Sequence, residues 1–265
     1  MLDARLADLS DRLTALGGVL VAFSGGADSA FLLAAAVRAL GPDAVAAATA
    51  VSPSLAAAEL APARALAASL GVRHLVPGTD ELSRPGYAAN GRDRCFHCKA
   101  TLLDTLRPLA DELGLPHVAT GTNADDAVAG FRPGIRAAAE RGAATPLLDA
   151  GLTKDDVREA SRRWGLPTAD KPALACLASR LAYGVEVTAD RLARVDRAET
   201  ALRARIPSAR DVRVRDLGGG VARVELDPAA LARCDDAALD AVRAEGFADV
   251  TAQVFRSGSL NLLPG

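Results

Sequence analysis

The stretch VLVAFSGGADSAFLLAAAV, beginning at Val19, constrains the fold more than any other part of the chain. A short apolar run leads into Ser24-Gly25-Gly26-Ala27-Asp28-Ser29, and an alanine- and leucine-rich helical run follows at once. That order puts the turn at the carboxyl end of a strand and the amino end of a helix, where ligands bind in an open parallel sheet. Gly25 and Gly26 let the backbone approach an anion closely. Successive N–H groups and the helix dipole favour phosphate, and Ser24 and Ser29 add hydroxyls. Asp28 is unusual beside an anion and implies either Mg²⁺ or a helix cap. The plainer alternative is a capped strand–helix turn. The six residues are no Walker loop, since no Gly-Lys-Ser/Thr follows, and they contain no G-x-G-x-x-G.

The first two-thirds of the chain repeat the alternation. Strands are expected at 18–23, at 44–52, in RHLVPG, in HVATGTN ending at Gly121, and in ATPLLD. Helices are expected over 29–40, in SLAAAELAPARALAASLG, over about 98–113, and in TKDDVREASRRWG with Thr153 as its cap. Such a series implies βαβ units and an α/β fold with a doubly wound parallel sheet. After about Tyr183 the pattern changes. ADRLARVDRAETALRAR reads as a helix, and 210–216 and 221–227 read as strands around Gly218-Gly219-Gly220, a hairpin signal. A helix near 235–245 and a strand in ADVTAQVF complete a small α+β unit. The expected division is 1–183 and 184–265.

At 265 residues a second domain is reasonable. Half the residues are hydrophobic but only 3% aromatic, so Ala, Leu and Val must build the core. A net charge of -2 disfavours a long nucleic acid as partner and favours a small molecule. The amino-terminal residues lack a secretory h-region, and no apolar run is long enough to span a membrane. A cytoplasmic location is expected. The four cysteines are then read as ligands or reactive thiols rather than disulfides.

RDRCFHCKATLL contains Cys95-x-x-Cys98, whose spacing lets both thiols bind one metal centre from a single turn. Arg94 and Lys99 flank them and would favour thiolate. A redox dithiol or two buried small side chains are the alternatives, and His97 is read as structural. In DKPALACLASR, a helical turn after Pro172 would make Cys176 and Arg180 neighbours at i,i+4, the cation favouring a nucleophilic thiolate with help from Lys171. In ATGTNADDAVAGFRPG, Asn123 and the Asp125/Asp126 pair would contact Mg²⁺ or a nucleotide, and Arg132 a phosphate or carboxylate. Helix capping by the aspartates is the alternative. Thr49, near the end of the second strand, and Gly121 complete the candidate nucleotide contacts.

The residues SGGADS resemble the PP-loop of the ATP pyrophosphatases, which split ATP between the α and β phosphates and adenylate an oxygen of their substrate. Together with RCFHCK, GTNADD, FRPG, KPALACLASRLAYG, VRVRDLGGGVARVE and GSLN, they resemble the LarE family over nearly the whole chain. That family comprises ATP-dependent sulfur transferases that make the nickel-pincer nucleotide cofactor of lactate racemase. One departure is that Ala129-Gly130 stand before FRPG where the family pattern has an acid.

The resemblance implies a PP-loop ATP pyrophosphatase domain (adenine nucleotide alpha hydrolase-like) followed by a small α+β domain for substrate binding and homo-oligomer formation. It implies pyridinium-3,5-biscarboxylic acid mononucleotide as substrate. ATP with Mg²⁺ adenylates a carboxylate, and sulfur replaces AMP to give a thiocarboxylate. Two sulfur sources are implied: sacrificial Cys176, left as dehydroalanine, or a sulfide on a [4Fe-4S] cluster held by Cys95, Cys98 and Cys176 and reloaded by a sulfide donor. A Zn²⁺ site from the same thiols and His97 is a third option, and Cys234 is read as inert. Arg213 and Arg215, two apart on one strand, would face the same side and clamp the substrate phosphate beside Ser179 and Arg180. A solvent-facing strand side is the alternative. Glu199 and Glu225 resemble divalent-metal positions of the family, with a solvated helix face or a strand-pair ion bridge as alternatives. Rival readings are a tRNA 2-thiolation enzyme, an ammonia-dependent ligase of the same superfamily, and a nucleotide-binding regulator with a degenerate loop.

Overall fold

A computed structural model describes residues 1–128, 130–172 and 175–256. In chain order the elements are α1 (Leu2–Leu16), β1 (Val19–Ala22), α2 (Ala27–Leu40), β2 (Val45–Ala48), α3 (Leu60–Ser69), β3 (Arg73–Leu75), α4 (Pro85–Ala88), α5 (Arg94–Glu112) and β4 (His117–Thr120). They continue with α6 (Ala124–Val128), α7 (Pro133–Glu140), α8 (Pro146–Asp149), α9 (Lys154–Arg163), α10 (Ala189–Arg205), β5 (Val212–Gly218), β6 (Val221–Leu226), α11 (Pro228–Leu231), α12 (Asp236–Arg243) and β7 (Asp249–Val254). Two units emerge. The first is Met1–Ser52, Ala58–Glu81 and Cys95–Ala173, and the second is Pro53–Ala57, Leu82–Arg94 and Leu174–Gly265. The second therefore takes in more than the residues after 183.

The first unit holds a parallel sheet of order β3-β2-β1-β4. Alternate strand residues point to opposite faces. Val19, Val21, Val45 and Ala47 join one core cluster with Leu9, Phe31 and Val157, while Leu20, Ala46 and Val118 join another with Leu103 and Leu106 of α5. Apolar cover on both faces explains why the strands read as continuous apolar runs, as expected for a doubly wound sheet.

ATPLLD is not a fifth strand. Pro146 starts the short helix α8, and only Ala144 makes an isolated parallel bridge to Ala119. Proline at the first helical position loses no needed N–H and presets a helical φ, which overrides the apolar run. α5 begins at Arg94, about four residues earlier than the pattern suggested, so Cys95 and Cys98 both lie near its start, about one turn apart.

The second unit contains a sheet of order β5-β6-β7, with β5–β6 antiparallel and β6–β7 parallel. Gly218, Gly219 and Gly220 all have positive φ, at 86°, 58° and 81°, as a tight hairpin of this kind requires. Among the described residues no helix is long and apolar enough to cross a membrane.

α9 starts with a capping box. The Thr153 hydroxyl accepts from the Asp156 N–H at 3.2 Å, and the Asp156 carboxylate accepts from the Thr153 N–H at 3.1 Å. Thr153→Ala is expected to cost about 1 kcal/mol of stability, read as a lower urea midpoint at unchanged slope.

Candidate functional site

β1 delivers the chain into the glycine turn and α2 carries it away. Gly25 has φ 72°, and a Cβ there would lie 3.2 Å from Ala63 Cβ, so glycine is required by both backbone and space. Gly26 is the N-cap of α2 and brings no side chain to its first turn. First-turn N–H groups have no intrahelical partner, which leaves them available to an anion. Ser24 and Ser29 hold the turn closed, their Oγ atoms 3.1 Å apart, with Ser29 Oγ donating to Gly26 O at 3.2 Å.

β4 comes up beside this turn, and Gly121 directly follows its last residue. A Cβ on Gly121 would stand 2.9 Å from Ser29 N and 3.0 Å from Asp28 C, both backbone atoms that cannot yield. Gly121 thus works by close approach of backbone to backbone. The next residue but one, Asn123, is fully buried. Its Oδ1 accepts from the Asp126 N–H at 3.1 Å, while its Nδ2 has no acceptor at hydrogen-bond geometry.

Asp28 is the electrostatic centre of this group. Burial pushes its pKa up, Asp126 adds to the rise, and Asn123, Lys154 and Arg158 ease it. Asp126 rather than Asp125 is the second acid here. It meets Lys154 Nζ at 3.1 Å and Arg132 Nη2 at 3.9 Å, whereas Asp125 accepts from the Lys154 N–H at 2.8 Å, supporting the start of α9. Thr49 is buried, and its hydroxyl donates to Phe23 O at 2.6 Å and meets His74 Nε2 at 2.8 Å. It binds strand ends to one another and has no free donor for a nucleotide.

Lys171, read as a helper for a thiol, instead donates from Nζ to Gly25 O at 3.0 Å and to Glu59 Oε2 at 2.9 Å. Nothing in the sequence pairs Lys171 with the glycine turn. Its neighbours along the chain are held by Arg158, which donates to the carbonyls of Ala169 and Lys171.

None of the four cysteines forms a disulfide. Cys95 and Cys98 lie near the start of α5 in the first unit, and Cys176 belongs to the second. Lys99 beside the pair has its pKa lowered by burial, against the opposing pull of Cys98, Cys95 and Asp126. His97 packs edge-on to the Phe96 ring. Among the described residues no group of three His, Cys, Asp or Glu side chains is disposed to hold a metal ion. The C-x-x-C spacing places the two thiols of the first unit one helical turn apart. Burial and Asp235 push the Cys234 thiol up, keeping it neutral.

In the second unit Cys176 is exposed and caps the short 3₁₀ turn Leu177–Arg180. No α-turn joins Cys176 to Arg180. The guanidinium bonds the carbonyl of Cys176 at 3.2 Å and that of Ala175, and it grips both oxygens of Glu199 at 2.8 and 3.1 Å. Its charge goes to the carboxylate and the backbone. Ser179 Oγ donates to Cys176 O at 2.7 Å, bracing the same turn.

Arg213 and Arg215 do share a face of β5, but both are buried. Across the strands Arg213 stands opposite Glu225 and Arg215 opposite Arg223. Glu225 accepts from Arg215 at 2.9 Å and meets Arg223 at 3.3 Å, so it forms a strand-pair ion bridge. Glu199 also accepts from the Val214 N–H at 3.0 Å. Burial, together with Arg180 and Arg215, holds Arg213 down to about 10, and burial lowers Arg215 as well. Arg223 was not anticipated from sequence, and its Nε is buried without a partner. Four guanidiniums are thus gathered against Glu199 and Glu225, with Asp211 a weaker neighbour of Arg213. Such a cluster suits a dianionic phosphate.

The raised pKa of Asp28 has a measurable consequence. Between 3.8 and that raised value the folded protein binds more protons than the unfolded chain, so stability falls as pH rises through the window. Asp28→Asn is expected to raise the Tm at about pH 7, with a gain that shrinks toward about pH 4, as read by thermal unfolding.

No family model matches the chain. It is 46% identical over 228 residues to an uncharacterized protein of Synechocystis sp., covering 86% of this chain and 83% of that one. It is 29% identical over 127 residues to an uncharacterized protein of Methanocaldococcus jannaschii, covering 48% of each. Against the pyridinium-3,5-bisthiocarboxylic acid mononucleotide synthase of Lactiplantibacillus plantarum it is 35% identical over 268 residues, covering 98% of this chain and 95% of the synthase. With nearly the full length of both chains aligned, the protein belongs to the LarE family of PP-loop proteins.

Proposed function

We propose that the protein is an ATP-dependent sulfurtransferase that converts a carboxylate of pyridinium-3,5-biscarboxylic acid mononucleotide into a thiocarboxylate. The observation that carries this reading is the glycine turn with its uncapped helix start, set beside the partly buried acid Asp28 and its neighbour Asp126. Membership of the family of the Lactiplantibacillus synthase supplies the substrate class.

The first unit provides the activation step. First-turn N–H groups of α2 and the hydroxyls of Ser24 and Ser29 hold the phosphates, and the Asn123 amide beside Asp28 offers a buried donor to the nucleotide. Asp28 and Asp126 are the residues that would hold Mg²⁺, and their mutual repulsion fits a dication. Bound Mg²⁺ would offset charge on the β and γ phosphates. The substrate carboxylate attacks the α phosphorus, pyrophosphate leaves, and an acyl-adenylate remains.

The second unit provides the phosphate cluster of Arg213, Arg215 and Arg223 and carries Cys176. The Cys176 thiolate attacks the acyl carbon and expels AMP, forming a thioester. Loss of the Cys176 Cα proton then breaks its Cβ–S bond. Sulfur departs as the thiocarboxylate and dehydroalanine remains. This route asks only for one exposed thiol. The Cys95–Cys98 pair on one helical turn favours a second source, an iron–sulfur centre, and both sources can be told apart.

The deciding experiment is single-turnover reaction of the anaerobically purified protein, before and after reconstitution with iron and sulfide. Wild type as purified is expected to form one thiocarboxylate per chain, with intact mass lower by one H₂S and dehydroalanine at Cys176. Reconstituted brown protein that turns over repeatedly, with activity lost in Cys95→Ser, would move the sulfur to a cluster. Pyrophosphate release without any thiocarboxylate would overturn the sulfur-transfer reading.

A further inference from the structure

The carbonyl of Gly25 lies inside a turn whose other groups suit an anion, and a carbonyl oxygen repels phosphate. Lys171 Nζ covers it at 3.0 Å while also holding Glu59 at 2.9 Å. The ion pair is partly buried, with side-chain exposures of 22% and 19%. Glu59 lies four residues before Ala63, the residue of α3 that packs against Gly25. Glu59, Ala63 and the turn therefore meet on one side of α3. The base of Lys171 is fixed too, since its N–H donates to Thr168 O at 3.1 Å and its carbonyl accepts from Arg158 Nη2 at 3.2 Å.

The glycine turn SGGADS contains no lysine of its own. Other phosphate loops carry a cation within the motif. An ammonium has three N–H donors, and the two bonds seen leave one for an incoming anion. Asp28 and Glu59 both put negative charge near the turn, so a polyphosphate entering it needs a compensating cation.

We propose that Lys171 is the exchangeable cation of the nucleotide site. Glu59 holds it in the structure. On binding, it trades Glu59 for the β and γ phosphates of ATP while keeping its bond to Gly25 O. The proposal rests on the ATP-splitting reading above and deepens it. Glu59 then competes with phosphate for the ammonium, so the two residues have opposite effects on nucleotide affinity. A purely structural latch would give both the same effect.

The test is calorimetric binding of Mg²⁺-ATP, Mg²⁺-pyrophosphate and AMP to the full chain and to Lys171→Met, Lys171→Arg and Glu59→Gln. Lys171→Met is expected to weaken ATP and pyrophosphate by about tenfold or more, and AMP by less than about threefold. Lys171→Arg should recover part of the loss. Glu59→Gln should bind ATP and pyrophosphate a few-fold more tightly than wild type, even with a lower Tm. Equal losses for ATP and AMP in both variants, or weaker ATP binding by Glu59→Gln, would overturn the proposal. Should Lys171→Met fail to fold, Glu59→Gln decides alone by the sign of its change. Wild type that binds ATP in this pattern but makes no thiocarboxylate defeats the sulfur-transfer reading and leaves Lys171 in its role. Wild type that binds neither ATP nor pyrophosphate overturns both.

Discussion

The first turn of α2 can lie against the end of β4 only because residue 121 has no side chain. A single methyl group there would stand 2.9 Å from Ser29 N and 3.0 Å from Asp28 C, inside van der Waals contact, and backbone atoms cannot move aside as a side chain can. The contact brings the carboxyl ends of two neighbouring parallel strands, β1 and β4, together with a helix start. It also sets Asn123 and Asp126 next to Asp28, which is what makes the group chemically interesting. Without that approach the glycine turn would be a turn and little else.

A second constraint is charge kept away from water. The first unit sets one partly buried acid beside another, and the second gathers buried guanidiniums around two carboxylates. Neither arrangement is chosen by stability, because each desolvated charge costs more than an apolar replacement would. Both match the opposite charge of an expected ligand, a dication in the first case and a phosphate in the second.

The doubly wound sheet was legible because its central strands β1 and β2 are apolar runs and helices such as α2 and α9 end at a glycine or begin at a cap. Val19–Ala22 and Thr153 are clear examples. ATPLLD misled because an apolar run of that length suits a strand or a buried helix equally, and Pro146 decided it. The site was legible where its residues are neighbours in sequence, as in SGGADS and C-x-x-C. It was not legible where the chain returns from far away. Lys171 and Glu59 lie 112 residues apart, and no local pattern links them. Choosing between Asp125 and Asp126 needed the helical geometry of α6, which turns one acid toward α9 and the other toward Asp28. Arg213 and Arg215 were placed on one face by strand period alone, but the cross-strand pairing that adds Arg223 depends on register set by the glycine hairpin.

Glu199 does two unlike things at once. It binds the Arg180 guanidinium, and it takes up the Val214 N–H on the side of β5 away from β6. β5 is an outer strand of its sheet, and a bare outer strand is a template for pairing with another chain. The carboxylate that balances a buried cation thus also plugs the edge of the sheet. A chain that lost this acid would leave the buried Arg180 guanidinium unpaired and the Val214 N–H open at the sheet edge at the same time.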